Sequence, residues 1–332
     1  MQLNKNIVVQ IQAIIATAQE KAIRSVDFER VFMYWHIGQV IYEEEQKGKE
    51  RAEYGAFLIQ SLSEQLQPQF GSGFSVRQLE MCRQFYRTFT NTNALRSQLS
   101  WTHYRLLIRI DNEQKREYYL LETVKNNWSA RQMERQINSQ LFERLLLSND
   151  VEVVMAVAKK EKHPTNPKEI IKDPMVLEFL GLKRENAYYE KDLETAIITQ
   201  LHDFLLELGN GFSFVARQKR IHIDGDEFFI DLVFYNRLLQ CFVLIEIKTE
   251  KLSHQDLGQL QMYVNYYDRY EKQDFENPSI GILLCTDKND TMVKISLPEN
   301  NNTIIASKYQ LYLPKEEDLK QEIARIYKQQ KD

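Results

Sequence analysis

The chain has 332 residues, of which 43% are hydrophobic and 27% are charged, with 11 glycines and 7 prolines. This composition excludes a largely disordered chain and predicts a folded protein of about two domains. No apolar run approaches the roughly 18 residues that a membrane-spanning helix needs, and we expect no export signal. The three cysteines, Cys82, Cys241 and Cys285, are far apart. Their spacing favours reduced thiols in a cytoplasmic protein over a disulfide framework or a zinc cluster.

Charge is distributed unevenly along the chain. The net charge of −4 excludes a uniformly basic protein. Residues 71–110, however, contain six arginines and a single acidic residue, Glu80, which is a local net charge of +5. For binding a polyanion, such a local positive surface matters more than the total charge.

Residues 1–155 are predicted to form a mostly helical domain. Apolar residues recur at helical spacing in six segments, 26–42, 54–66, 75–89, 101–109, 112–124 and 129–147. Capping boxes are expected at Ser75–Gln78 and at Ser129–Gln132. A stretch rich in charge and proline predicts a linker at 156–174.

Residues 175–332 are predicted to form a second domain of the α/β class. Its elements are expected in the order helix, three strands, helix and strand, at 188–208, 212–223, 227–235, 240–248, 254–270 and 279–285. Asp224-Gly225-Asp226 indicates a hairpin between the first two strands. Because the last strand returns after a helix, it should pair parallel to its neighbour, which gives a mixed sheet. The tail, 305–330, is expected to be a short strand and an amphipathic helix.

Two carboxylates and an amine are predicted to meet on the sheet. Asp231 is the single charge within the second strand, and the third strand ends with Glu246 and Lys248 on one face. A hairpin turning about Leu238–Leu239 would place Asp231 opposite Glu246. Carboxylates that close repel each other unless a cation neutralises them, and Mg²⁺, or Mn²⁺ in its place, is suited to oxygen ligands. The pattern indicates a metal site that activates water for phosphodiester hydrolysis, with Lys248 orienting the water or offsetting charge on the phosphate.

Structural interpretations of the same residues stay open. An Asp followed by Glu-x-Lys is common by chance in charged proteins and also fits a solvated sheet edge or an ion pair. Glu194 lies on the apolar face of its predicted helix, where it could complete the metal site, snorkel, or pair with Lys191. Gln259 and Tyr263 lie one turn apart and face the same way, which alone is ordinary packing.

With these residues in view, the C-terminal half resembles the PD-(D/E)XK phosphodiesterase superfamily. It is more closely similar to the YhcG-type bacterial proteins, which join a mostly helical N-terminal region to such a domain. The phrases that carry the resemblance include Arg217-Gln218, Phe229-Ile230-Asp231-Leu232-Val233-Phe234-Tyr235, Ile245-Glu246-Ile247-Lys248, Gly258-Gln259 and Asn277-Pro278-Ser279-Ile280-Gly281. The superfamily's aspartate is often preceded by proline, whereas here Ile230 precedes it.

The resemblance implies a restriction-endonuclease-like α-β-β-β-α-β fold and a magnesium-dependent DNA nuclease. It implies Asp231, Glu246, Lys248 and Glu194 as the active-site set, with the three carboxylates as metal ligands. Gln259 and Tyr263 are similar to a motif that lies next to the site in RecB-like nucleases. RNA as the substrate stays open, as does a catalytically inactive DNA-binding or assembly module that retains the fold.

The N-terminal region resembles the helical part of the YhcG-type proteins, which is similar to winged-helix DNA-binding units. The resemblance implies that arginines of this region bind DNA, and the candidates are Arg77, Arg83, Arg87 and Arg105. An ordinary solvated helix, or a contact between two copies in a homodimer, explains the same arginines equally well.

Overall fold

The chain divides into two compact units, Met1–Arg135 and Gln136–Asp332. The computed structural model describes residues 5–47, 52–92, 95–147, 151–161, 174–182, 189–287, 290–298, 301–315, 317–319 and 321. The domain limits expected from the sequence stay a prediction, because most of the expected linker at 156–174 lies outside the described residues. Within the described ranges, no helix is both long enough and apolar enough to cross a membrane.

The first unit is helical, as predicted. Its helices are α1 (Lys5–Lys47), α2 (Ala52–Phe70), α3 (Val76–Thr88), α4 (Trp101–Leu107), α5 (Glu113–Asn126) and α6 (Ala130–Asn138), whose last three residues are counted with the second unit. Helix α1 is much longer than the segment 26–42 that periodicity indicated. The described residues of this unit contain no β-strand, so a β wing is not among them. The likeness to winged-helix units therefore stays an expectation.

Close contact between α1 and α3 forms the centre of this unit. A Cβ atom added at Gly38 would lie 1.9 Å from the carbonyl oxygen of Cys82, so only glycine allows this approach of the two helices. The indole of Trp35 donates a hydrogen bond to the carbonyl of Phe89 at the end of α3. The ring of Phe85 packs against those of Phe89, Trp101 and Tyr104.

One of the two predicted capping boxes forms. The backbone amide of Ser129 donates to Gln132 Oε1 (2.8 Å), and the amide of Gln132 donates to Ser129 Oγ (3.3 Å). The prediction for Ser75 is wrong, because its side chain makes no cap hydrogen bond. The side-chain Nε2 atom of Gln78 instead donates to the Sγ atom of Cys82 (3.8 Å), one turn further along α3.

The second unit is built on a six-stranded mixed sheet. Its strands are β1 (Met175–Val176), β2 (Phe212–Ile223), β3 (Asp226–Asn236), β4 (Cys241–Lys251), β5 (Ile280–Asp287) and β6 (Ile304–Gln310), and they lie in the order β1-β6-β5-β4-β3-β2. Strands β2, β3 and β4 are antiparallel, whereas β4 pairs parallel with β5, as predicted. The remaining helices are α7 (Leu141–Leu146), α8 (Val151–Ala158), α9 (Glu190–Thr199), α10 (Leu201–Leu208), α11 (His254–Tyr266) and α12 (Asp290–Ser296).

Local signals account for most of these elements. Asp224 and Gly225 both have positive φ (47° and 99°), which is the two-residue turn that an Asp-Gly pair predicts. The single helix expected at 188–208 is interrupted at Gln200, which ends α9 and begins α10. Beyond Tyr266, α11 continues as one π-helical turn. Neither β1 nor α12 is among the elements that the sequence pattern predicts, and most of the expected tail helix lies outside the described residues.

Both faces of the sheet are covered. Helices α9 and α10 pack on one face over Leu232, Phe234 and Ile245, and α11 packs on the other over Ile230, Val233 and Leu244. This two-sided burial explains why β3 and β4 are apolar on both faces.

A fully buried ion pair connects three further elements of this unit. Arg144 of α7 pairs with Glu207 of α10, and neither side chain is exposed to solvent. Glu207 also accepts the amide of Val176 in β1 (2.9 Å), and Arg144 donates to the carbonyl of Pro174 (2.8 Å). These added hydrogen bonds satisfy groups whose burial would otherwise be costly.

The close approach at Gly38 gives the first prediction. Gly38→Ala should lower the free energy of unfolding of the first unit by about 1–3 kcal/mol, because the new methyl group overpacks the α1–α3 contact. All three tryptophans lie in this unit, so tryptophan fluorescence during denaturation is the measurement. Gly73→Ala is the matched control, since its Cβ would meet nothing closer than 3.5 Å. Equal stability of the two variants would contradict the prediction.

Candidate active site

Strands β3 and β4 separate at the predicted site. Their pairing runs from Asn236↔Cys241 to Leu232↔Ile245, which is the register predicted from a turn about Leu238–Leu239. The described pairs stop there, although β3 extends back to Asp226 and β4 extends on to Lys251. We call the opening between residues 226–231 of β3 and 246–251 of β4 the β3–β4 gap. Asp231 and Glu246 are the first residues of the two strands inside it.

The two carboxylates take the place of the missing sheet hydrogen bonds. The backbone amide of Asp231 donates to Glu246 Oε1 (3.1 Å), and the amide of Ile247 donates to Asp231 Oδ2 (2.9 Å). Each acid is therefore held by the other strand, and the pair meets as the register predicted. Glu246 is buried, with 3% of its surface exposed.

Glu194 of α9 joins this pair through an amide group. Gln218 of β2 donates from its Nε2 atom to Glu194 Oε2 and to Asp231 Oδ1, both at 2.8 Å. Glu194 is buried and also forms an ion pair with Arg217, not with Lys191. Its carboxylate is thus beside the site, with a guanidinium and an amide as partners.

Lys248 lies in the same site and has a partner of its own. Its Nζ atom is 3.3 Å from Glu190 Oε2, at the first residue of α9. Burial alone would lower the pKa of Lys248, but the carboxylates of Glu190, Glu246 and Asp231 outweigh burial, and the pKa is raised above its ordinary value. The side chain is therefore a cation at neutral pH.

Gln259 and Tyr263 of α11 reach the β3–β4 gap from the other face. Gln259 Nε2 donates to the hydroxyl of Tyr263 (2.5 Å), and that hydroxyl donates to the carbonyl of Phe229 (3.3 Å). Phe229 lies in the part of β3 beyond its last pair with β4. The Gln-x-x-x-Tyr pair therefore satisfies a peptide oxygen of β3 inside the β3–β4 gap.

The electrostatics of the pair are unfavourable in the absence of a cation. Burial, together with the charge of Asp231, raises the pKa of Glu246 to about 8. Burial also raises the pKa of Asp231, with Glu194 adding to the shift, while hydrogen bonds from Ile247 and Gln218 oppose it. Two adjacent, desolvated carboxylates cannot both be ionised at low cost.

This arrangement fits a hard divalent cation. Such a cation prefers carboxylate oxygens, which Asp231 and Glu246 supply, and its charge would favour their ionised forms. Among the described residues, no group of three or more His, Cys, Asp or Glu side chains is arranged to hold a metal ion. The site therefore offers a pair of carboxylates, with Glu194 turned toward Arg217.

The four arginines predicted to bind nucleic acid lie on α3 and α4 of the first unit. Helix α3 buries Leu79, Cys82 and Phe85, and its opposite side exposes Arg77 and Arg87. Arg83 is half-buried and forms an ion pair with Glu45 of α1. Arg105 of α4 is also half-buried, and its Nε atom has no hydrogen-bond partner in the described part of the chain.

Three residues of the site were not singled out as functional by sequence reasoning. Glu190 lies 58 residues from Lys248, Arg217 lies 23 residues from Glu194, and Gln218 lies 24 residues from Glu194 and 13 from Asp231, so no local pattern links them. Arg217-Gln218 did occur among the phrases that carry the family resemblance. The other available signal is the adjacent polar pair Arg217-Gln218 within the strand predicted at 212–223.

The mixed sheet, the flanking helices and the paired carboxylates define a nuclease domain of the PD-(D/E)XK type. The family model described as "YhcG PDDEXK nuclease domain" matches residues 168–324, and that described as "DUF1016 N-terminal domain" matches residues 10–144. A curated relative, "Putative nuclease YhcG" of Escherichia coli (strain K12), is 36% identical over 344 residues, covering 94% of this chain and 91% of the relative. The chain belongs to the YhcG family.

Solved structures also match part of the chain. A repair endonuclease from Pyrococcus abyssi is 21% identical with a TM-score of 0.28, over 39% of this chain and 50% of that one. A complex of EndoMS with double-stranded DNA is 18% identical with a TM-score of 0.27, over 40% of this chain and 50% of that one. This chain thus spans half the length of each.

The buried carboxyl group of Glu246 predicts how stability depends on pH. In the presence of a chelator, the free energy of unfolding of the second unit should fall as pH rises from about 4.5 to about 8. The unfolded chain releases the Glu246 proton near its ordinary pKa of 4.5, whereas the folded chain holds it until about 8. The loss is on the order of 5 kcal/mol.

Denaturation followed by far-ultraviolet circular dichroism across this pH range is the measurement. Glu246→Gln should remove most of the decline, because the variant has no proton to release at this position. Glu250→Gln, an exposed position of the same strand, is the control and should keep the parental slope. The same slope in both variants would show that Glu246 is not the titrating group.

Proposed function

We propose that this chain is a metal-dependent nuclease that hydrolyses DNA phosphodiester bonds at the site of Asp231, Glu246 and Lys248. The observation that carries the proposal is the meeting of a buried carboxylate, Glu246, and a half-buried one, Asp231, in the β3–β4 gap, with the ammonium group of Lys248 in the same site. The YhcG family's PDDEXK nuclease domain supports the reaction class. A bound cation would neutralise the repulsion between these two carboxylates, which gives the pair a role in metal binding.

Each residue has a distinct role in this proposal. Asp231 and Glu246 would hold Mg²⁺, or Mn²⁺ in its place, and Glu194 is kept as the third carboxylate of the site. When bound, the metal polarises a phosphoryl oxygen and lowers the pKa of a water molecule. Lys248, charged and anchored by Glu190, offsets the negative charge that develops on the phosphate. Because its pKa is raised, Lys248 is suited to that electrostatic role and not to removing a proton.

DNA binding is assigned to the first unit. Arg77 and Arg87 are exposed on α3, and neither has a hydrogen-bond or ion-pair partner among the described residues. Two unpaired guanidinium groups on the outer side of one helix are suited to contact phosphates. Arg83 and Arg105 are kept as candidates, but the ion pair of Arg83 with Glu45 would have to be exchanged for a phosphate contact.

A second candidate function is a DNA-binding or assembly module that retains the nuclease fold without catalysis. The ion pair between Arg217 and Glu194 favours it, because the guanidinium occupies a carboxylate that the family resemblance implies as a metal ligand. The two functions differ in one observable. The module binds DNA and yields no metal-dependent product, whereas the nuclease yields one.

The catalytic prediction concerns Asp231→Asn and Lys248→Met. Each should reduce Mg²⁺-dependent cleavage by about 10²–10³-fold, because each removes charge that stabilises the reaction. Cleavage of supercoiled, linear and single-stranded DNA, and of RNA, is measured with Mg²⁺, with Mn²⁺ and with a chelator. DNA binding in the chelator should be unchanged in both variants. Glu250→Gln is the control, and parental cleavage by Asp231→Asn would reject the site.

The binding prediction concerns Arg77→Gln combined with Arg87→Gln. Loss of two phosphate contacts should weaken DNA binding and reduce the slope of log K against log salt by about 2. Fluorescence anisotropy with labelled duplex DNA between low and physiological salt is the measurement. Arg30→Gln, an exposed arginine of α1 outside the basic segment, is the matched control. If the double variant kept the parental slope, α3 would not be the DNA-binding element.

A further inference from the structure

Strands β2 and β3 both change the face that their side chains occupy at the level of the site. Ala216 pairs with Val233, and Ile221 pairs with Phe228, and all four side chains pack on the α11 side of the sheet. The two pairs are five positions apart in each strand. Side chains alternate between faces, so residues five positions apart in a regular strand lie on opposite faces. The alternation of side chains between the two faces must therefore shift by one residue in each strand between these pairs. We call this shift the slip.

The slip in β3 occurs at Asp231. Ile230 packs on the α11 side, and Leu232, only two residues later, packs on the α9 side. Strand β4 keeps its alternation, because Ile245 and Ile247 both pack on the α9 side. A strand that slips cannot stay in register with one that does not. This difference explains why β3–β4 pairing ends at Leu232↔Ile245.

The slip in β2 occurs at Gln218. It is the only residue of β2 with positive φ, at 46°, and it lies between the pairs Arg217↔Leu232 and Lys219↔Ile230, so it faces Asp231. A left-handed backbone at a non-glycine residue costs on the order of 1–2 kcal/mol. Such a conformation within a strand persists only where the surrounding contacts hold it.

The side chain of Gln218 supplies those contacts. Its single Nε2 atom donates to Glu194 Oε2 and Asp231 Oδ1, both at 2.8 Å. Two like charges that would otherwise repel are thereby kept at a fixed separation by one uncharged donor group. Neither a carboxylate nor an apolar side chain of similar length could do this, because neither donates two hydrogen bonds.

We propose that Gln218 is a positioning residue of this site, through both its backbone and its side chain. Its left-handed backbone makes the slip opposite Asp231, which opens the β3–β4 gap. Its amide group sets the spacing of the Glu194 and Asp231 carboxylates before a cation binds. The inference rests on the proposed function of the site, which it deepens by adding a residue from the neighbouring strand.

The test uses Gln218→Met in the full chain, since methionine keeps the length of the side chain and removes the amide. Mg²⁺ affinity is measured by calorimetry without DNA, and kcat and KM are measured with duplex DNA. We expect Mg²⁺ binding to weaken about 10–100-fold, the usual effect of losing a group that orients metal ligands. The value of kcat at fixed Mg²⁺ should fall by a similar factor, and KM for DNA should change less than about twofold, because Gln218 positions carboxylates and binds no DNA.

Gln240→Met is the matched control. Like Gln218, Gln240 is an exposed glutamine with positive φ (50°), but it lies in the turn between β3 and β4. The two variants impose the same side-chain change on the same backbone conformation, so a general cost of the substitution would appear in both. Gln240→Met should keep the parental Mg²⁺ affinity and kcat.

A second variant separates the two contributions of Gln218. Gln218→Gly favours the left-handed backbone and lacks the side-chain amide. It should therefore fold, but its Mg²⁺ affinity should be about 10-fold or more below that of the parent chain. It also serves if Gln218→Met does not fold. Parental Mg²⁺ affinity in both variants would overturn the positioning role and leave the proposed function standing. A parent chain that neither binds Mg²⁺ nor cleaves DNA would overturn the proposed function, and this inference with it.

Discussion

The separation of β3 from β4 at Asp231 is the constraint on which the site depends. An opening inside a sheet leaves peptide groups without partners, and buried peptide groups without partners are costly. Here the side chains of Asp231 and Glu246 accept two of the amides, and Tyr263 donates to the carbonyl of Phe229. These hydrogen bonds satisfy peptide groups of the opening, and they also hold the two carboxylates close together in a part-buried site.

Charge balance distinguishes this pair from two buried acids of the same unit, Glu207 and Glu194. Glu207 pairs with Arg144, and Glu194 pairs with Arg217, so each has a guanidinium group beside it. Asp231 and Glu246 receive amide hydrogen bonds and share the single ammonium of Lys248, which Glu190 also contacts. Burial therefore raises the pKa of both acids. Among the described acids of the site, they are the two whose charge is left for a cation to neutralise.

The nuclease domain and the basic segment of the chain lie in different units. The family's nuclease domain lies in the second unit, where a rigid sheet with helices on both faces fixes the carboxylates. The first unit has a helical core with close contact between α1 and α3, and it carries the basic segment of an otherwise acidic chain. In the function that we propose, the basic segment of the first unit attracts a polyanion although the net charge of the chain is −4, and the acidic residues of the site hold the metal.

The sequence by itself determined the features that depend on local pattern. Apolar periodicity indicated the helices and strands, Asp224-Gly225 indicated the hairpin, and counting back from Leu238–Leu239 placed Asp231 opposite Glu246. Only the tertiary structure decided the partners of these acids. Arg217, Gln218 and Glu190 are distant in sequence, and β-strand periodicity cannot show that β2 and β3 slip while β4 does not. A slip of one residue is visible only in which helix each side chain packs against, and that packing exists only once the whole sheet has formed.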